Sequence, residues 1–142
     1  MTMLMNSPVL DRDADRKVVV EMVFPMPGFP DARRFEFAWL EPEVEPFFLL
    51  RSLDMPGLEF VVVPPGLVLN DYKVELDEDT TERLELANAG DALVLVLVTL
   101  AQPPGSPTAN LLGPVVINTS TMQAMQVVLH RSSYSARHRL FG

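Results

Sequence analysis

Cysteine is absent from the 142 residues, which removes structural disulfides, thiolate zinc sites and a cysteine nucleophile together. That absence fits a reducing, cytoplasmic setting. Lysine occurs only at Lys17 and Lys73, and neither follows a glycine-rich loop, so a P-loop type phosphate cradle has no sequence to form from. Histidine is limited to His130 and His138. They lack the i, i+4 spacing of a helical metal pair and have no acid near them in sequence, so no metal site is read here. Long apolar runs are missing too. The longest, 92–100 with Thr99 inside it, falls far short of the ~20 residues that a membrane helix needs. The opening Met1-Thr2-Met3-Leu4-Met5 has neither a basic region nor a long apolar stretch, so no signal peptide is expected. Positive charge is scarce: 11 Lys+Arg against 19 Asp+Glu leave a net charge of −8. With a pI near 4.6, phosphates are repelled over most of the surface, and direct nucleic-acid binding is disfavoured. The acidity leaves two uses, plain solubility or a basic protein partner.

What is present argues for a folded domain. The chain is 48% apolar and only 21% charged, a composition that excludes disorder of the whole. Its length suits one domain, which at about 150 residues buries about 68–70% of its unfolded surface. Proline is abundant, with 13 residues spaced between short apolar runs. Because proline cannot donate to a sheet ladder, it marks strand ends and edges. The runs 18–24, 34–40, 47–53, 58–63, 92–100, 110–118 and 125–130 read as strands, being short and rich in Val, Phe and Leu. The Val-Leu alternation of 93–98 has no polar face, which predicts a strand buried on both sides. Residues 77–86 read as one short helix, with Asp79 or Thr80 as cap and Leu84 facing inward. Residues 1–15, polar and without periodicity, read as a flexible arm, leaving 16–142 as the domain. The predicted fold is all-β and mainly antiparallel: a single small barrel-like or strongly curved sheet with one short helix.

No constellation of catalytic type stands out. Asp77-Glu78-Asp79 lacks the alternating ligands and central glycine of a calcium loop. Ser132, Ser133 and Ser135 lie near both histidines in sequence, but no strand–turn–helix nucleophile motif surrounds them. Paired carboxylates are always found somewhere among so many acids. The residues alone therefore read as a non-enzymatic binding module, with no catalytic, metal or cofactor site. Trp39, Phe47 and Phe48 flank the acidic loop Glu41-Pro42-Glu43-Val44-Glu45-Pro46. Strand alternation turns Phe47 or Phe48 to the core and its neighbour outward, and an outward aromatic beside acids suits a protein interface. Met22, Met26, Met122 and Met125 serve either as core filling or as adaptable surface.

Several motifs, taken in order, resemble the bacterial flagellar assembly factor FliW family. They begin with Pro27-Gly28-Phe29-Pro30 and Arg34-Phe35, followed by Pro46-Phe47-Phe48-Leu49-Leu50-Arg51-Ser52, the strand 58–63 and Asp71-Tyr72. The stretch 91–100 is next, then Thr108-Ala109-Asn110-Leu111-Leu112-Gly113-Pro114-Val115-Val116-Ile117-Asn118, the most specific piece. Gln126-Val127-Val128-Leu129 and Tyr134-x-x-Arg137-His138-x-Leu140 close the pattern.

The resemblance implies a small β-barrel that binds flagellin in the cytoplasm. It also implies binding of CsrA, a basic, dimeric RNA-binding protein that represses flagellin translation. Flagellin export would free the protein to capture CsrA and relieve repression. On this reading Glu41, Glu43 and Glu45, or the second cluster Glu75, Asp77, Glu78, Asp79, Glu82 and Glu85, would meet CsrA. Trp39, Phe47, Phe48 and Tyr72 would supply apolar contact, with a groove near Phe47, Phe48 or Tyr72 for flagellin. Gly28, Phe29, Asn110, Pro114 and Asn118 are read as structural. The partners are thus flagellin and CsrA, without direct nucleic acid or membrane. A small β-barrel carboxylate hydrolase or carbohydrate-binding domain is the alternative reading.

Overall fold

The computed structural model describes residues 18–39, 47–100 and 105–140. The sequence readings of 1–15 as an arm, of Glu41, Glu43 and Glu45 as a contact cluster, and of the Trp39 side chain as an anchor lie outside the described residues.

Among the described residues, nine strands form one sheet: β1 (Val18–Met22), β2 (Arg34–Trp39), β3 (Phe48–Ser52), β4 (Glu59–Val63), β5 (Ala92–Thr99), β6 (Thr108–Ala109), β7 (Val115–Asn118), β8 (Gln123–Gln126) and β9 (His138–Arg139). Their order is β4-β3-β2-β1-β8-β7-β5-β6-β9, and a further β4–β5 pairing closes the first seven into a barrel. Neighbours are antiparallel except β1 and β8, which run parallel with Glu21 opposite Gln123. The long β5 makes the closure possible. Residues 92–95 pair with β7, and 96–98 pair with β4. Closure removes the exposed sheet edges that an open β sheet would have to protect.

Strand alternation on β5 divides the apolar residues into two cores. Leu93 and Leu95 point into the barrel, among Val20, Phe35, Phe48, Leu50, Val115 and Ile117. Val94, Val96 and Val98 point outward, where Tyr72, Val74, Leu84, Leu111, Val127 and Leu129 cover them. The prediction of a strand buried on both sides holds because this second layer exists. Inside the barrel, Phe37 packs on Phe48 with ring centroids 5.1 Å apart, and Phe29 meets Phe60 edge-on at 5.4 Å. Phe29 is brought there by a turn in which its N–H donates to the Met26 carbonyl. Gly28, at φ +88°, occupies the left-handed position of that turn, with Pro27 before it.

Three sequence expectations need correction. The run 110–118 is not one strand: β6 ends at Ala109 and β7 begins at Val115, with both on β5. Asn110 breaks it, its Oδ1 accepting from the Leu112 and Gly113 N–H groups at 3.1 and 2.8 Å, and Pro114 offers no donor to resume the ladder. The last long strand is 123–126 rather than 125–130, since Val127 and Leu129 donate to the Pro114 and Leu112 carbonyls outside a regular ladder. The helix α1 (Glu78–Arg83) is capped by Asp77, not by Asp79 or Thr80, because Asp77 Oδ1 accepts from the Thr80 N–H at 2.8 Å. Leu84 is fully buried, as predicted.

Candidate functional site

The residues singled out from sequence separate into three places. Phe48 lies in the barrel core, and Phe47 is half-buried against the second core. Neither turns outward as an exposed aromatic, because Phe48 packs into the barrel core and Phe47 against the second core. Tyr72 is also buried, at 3% exposure. Its hydroxyl donates to the Leu111 carbonyl at 2.6 Å, and its ring lies 4.6 Å from that of Tyr134. Burial pushes its pKa well above the usual phenol value. Tyr72 thus pins the second layer to the 110–114 turn, and its side chain offers little surface to a partner.

The most specific motif carries a set of side-chain to backbone hydrogen bonds. Asn118, 1% exposed, donates through Nδ2 to the carbonyls of Leu84 and Glu85 at 2.7 and 3.3 Å, while its Oδ1 accepts from the Ser120 N–H at 2.9 Å. It ties the end of α1 to the β7–β8 turn. That helix end needs holding. Glu85 sits at φ +52°, and the bonds Glu85 N–H to Glu82 and Leu86 N–H to Thr81 make a Schellman cap without its usual glycine. Gln126 Nε2 donates to the Gly113 carbonyl at 2.9 Å. A Cβ at Gly113 would stand 2.9 Å from that nitrogen and 3.1 Å from Asn110 Nδ2. Pro114 is buried beside them.

The exposed acids gather around α1. Glu75, Asp77, Glu78, Asp79, Glu82 and Glu85 are all exposed. The Asp77 carboxyl is held below the usual carboxylate range by hydrogen bonding from the Thr80 side chain and then its N–H, with His130 and Arg83 adding smaller electrostatic pulls. Arg83 pairs with Asp79 at 2.8 Å and lies 4.5 Å over the Phe24 ring. Phe24 is 48% exposed. Sequence reading missed it as a surface residue, having placed it at the end of a strand. The chain instead leaves β1 at Met22 and turns toward the proline-flanked 25–30 segment.

Beside α1 runs a groove of about 670 Å³ between residues 73–77 and 127–134. Its walls are two extended segments, each alternating between core-facing and solvent-facing residues: Tyr72, Val74 and Leu76 inward on one, Val127 and Leu129 inward on the other. Val128 is 50% exposed, and the Tyr134 hydroxyl accepts from the Lys73 N–H at 2.9 Å. The serines near His130 make turn contacts. Ser132 Oγ donates to the Leu129 carbonyl and Ser135 Oγ accepts from the Arg137 N–H. His138 lies on β9, opposite Ala109. Among the described residues no group of three His, Asp or Glu side chains is placed to hold a metal ion.

Likeness to known proteins covers almost the whole domain. The sequence model of the family described as "FliW protein" matches residues 8–140. The flagellar assembly factor FliW of Bacillus subtilis is 40% identical over 117 residues, covering 82% of this chain and 81% of that protein. The FliW of Treponema denticola is 37% identical over 121 residues, covering 84% and 80%. A crystal structure of the flagellar assembly factor FliW superposes with a TM-score of 0.80 at 34% identity, over 87% of this chain and 86% of that one.

Proposed function

Because this chain belongs to the FliW family of flagellar assembly factors, we propose that it is a non-enzymatic, protein-binding regulator of flagellin synthesis, acting in the cytoplasm. It binds flagellin, and when flagellin is exported the freed protein binds CsrA and lifts translational repression. The observation that carries this reading is the continuous likeness, in sequence and in barrel geometry, to proteins that bear the FliW name over four-fifths or more of their length.

The mechanism is a partner switch. Two ligands draw on one pool of protein, so the free flagellin level sets how much remains for CsrA by mass action. The acids around α1 suit the second partner. A basic RNA-binding protein is steered toward an acidic surface, while RNA itself is repelled. Phe24, beside Arg83 at the edge of that surface, adds apolar area of the kind found at interface centres. Flagellin binding calls on apolar contact instead and is less sensitive to salt. The experiment is a pull-down with the tagged protein, using flagellin and CsrA from the same organism. Retention of each partner alone is the expected result, and failure to retain either one refutes the reading.

A further inference from the structure

The groove beside α1 is walled by backbone that is extended but carries no ladder. Residues 72–77 run without turn or bend and alternate in burial as a strand does, yet no strand among the described residues pairs with them. Among the described residues, the N–H and C=O groups of 74–76 have no hydrogen-bond partner. A strand edge left open in this way is a template for pairing with another chain. The Lys73 N–H points across to the Tyr134 hydroxyl. Since donors on a strand alternate sides, the Glu75 N–H and C=O point the same way, into the groove. On the facing wall, Val127 and Leu129 donate toward Pro114 and Leu112. By the same alternation the Val128 N–H faces away from them, and it too is without a partner among the described residues.

We propose that this groove is a β-addition site: it receives an extended, uncharged segment of a partner protein, whose backbone pairs with Glu75 and Val128 and whose alternate apolar side chains cover Val128. A helix satisfies its own backbone and would leave the Glu75 groups unpaired, whereas an extended segment brings free main-chain donors and acceptors. Charge does not select the occupant, because Lys73 and Arg131 at the rim are balanced by Glu75 and Asp77. Selection rests on main-chain pairing and on the half-exposed Val128. This inference goes beyond the flagellin and CsrA reading and does not depend on either being the occupant.

The test uses the full chain, labelled with 15N, and a panel of capped eight-residue peptides alternating Thr with Val, Ile, Leu or Phe. At least one peptide is expected to shift the amides of 73–77 and 127–134, and to slow hydrogen exchange at Glu75 and Val128 at least tenfold. Glu75→Pro, which removes a donor unpaired in the free protein, should keep the melting temperature and weaken that binding at least tenfold, while Glu75→Ala binds as the parent does. Val128→Asp should also weaken binding at least tenfold, and it supplies the test if the proline variant does not fold. No binder in the panel, tighter binding by an alanine-based helical peptide, or equal binding by the folded Glu75→Pro and Glu75→Ala proteins would overturn the proposal.

Discussion

Replacing Asn118 by alanine should unfasten the helix from the barrel. The side chain satisfies three main-chain groups: the Leu84 carbonyl at 2.7 Å, the Glu85 carbonyl at 3.3 Å and the Ser120 N–H at 2.9 Å. Ser120 and Glu85 are exposed and Leu84 is fully buried, so water can replace the side chain at the Glu85 and Ser120 groups but not at the Leu84 carbonyl. A buried acceptor left unpaired costs about 1–3 kcal/mol, and each bond exchanged for water about 0.5–1.5 kcal/mol. The sum for Asn118→Ala is about 4 kcal/mol, or roughly 8–16 °C in melting temperature for a domain of this size. Asn118→Asp should do at least as badly, because a carboxylate cannot donate to the Leu84 carbonyl and would be charged where it is buried. Calorimetric melting of both variants reads the effect. Flagellin binding, measured well below the melting temperature, should stay within a few-fold of the parent. A melting temperature within about 2 °C of the parent would refute the bridging role. Lost binding with unchanged stability would make Asn118 an interface residue.

Other outcomes follow from the same geometry. Glu85→Gly should raise the melting temperature by about 2–4 °C, as relief of about 1–2 kcal/mol of left-handed strain is partly offset by about 0.4–1 kcal/mol of added unfolded-chain freedom; a fall would contradict the Schellman assignment. Gly113→Ala should cost about 1–3 kcal/mol, since its Cβ displaces the hydrogen-bonded Gln126 and Asn110 side chains, and urea melts measure this. Asp77 and Asp54 have depressed carboxyl pKa values, the latter through the Arg34 and then the Arg33 N–H. Their contribution is complete above the unfolded Asp value of about 3.9 and is lost as pH falls through the lower folded values. An Asp54→Ala, Asp77→Ala variant should therefore lose less stability than the parent between about pH 4 and pH 2, and parallel acid melts would count against this. Converting Glu78, Asp79 and Glu82 to their amides should slow CsrA association and leave flagellin affinity unchanged; equal effects on both partners would return these acids to solubility alone.

Much of the barrel was legible because its strands are short apolar runs separated by proline, a local pattern that survives folding. The double burial of β5 could be read from an alternation of Val and Leu that lacks any polar position: Leu93 and Leu95 face one core, Val94 and Val96 the other. The split at 110–114 was signalled by Gly113-Pro114 but passed over, since Leu111 and Leu112 look like strand residues and the Asn110 side-chain bonds that turn the chain show only in the fold. Tyr72 illustrates the limit for the site. An Asp-Tyr pair reads equally well as surface or core, and its burial depends on Leu111 and Tyr134, distant in sequence. The groove walls carried a signal in the alternation of 72–77 and 127–130, but a strand that lacks a partner looks the same in sequence as one that has it.

Partner switching requires that flagellin and CsrA exclude each other. The most direct measurement is a competition titration. The purified protein is saturated with fluorescently labelled CsrA, and flagellin from the same organism is added while anisotropy is followed. Flagellin is predicted to release CsrA completely, with a midpoint that rises in proportion to the CsrA concentration. A stable ternary complex, or release that saturates short of completion at high flagellin, would contradict the partner switch.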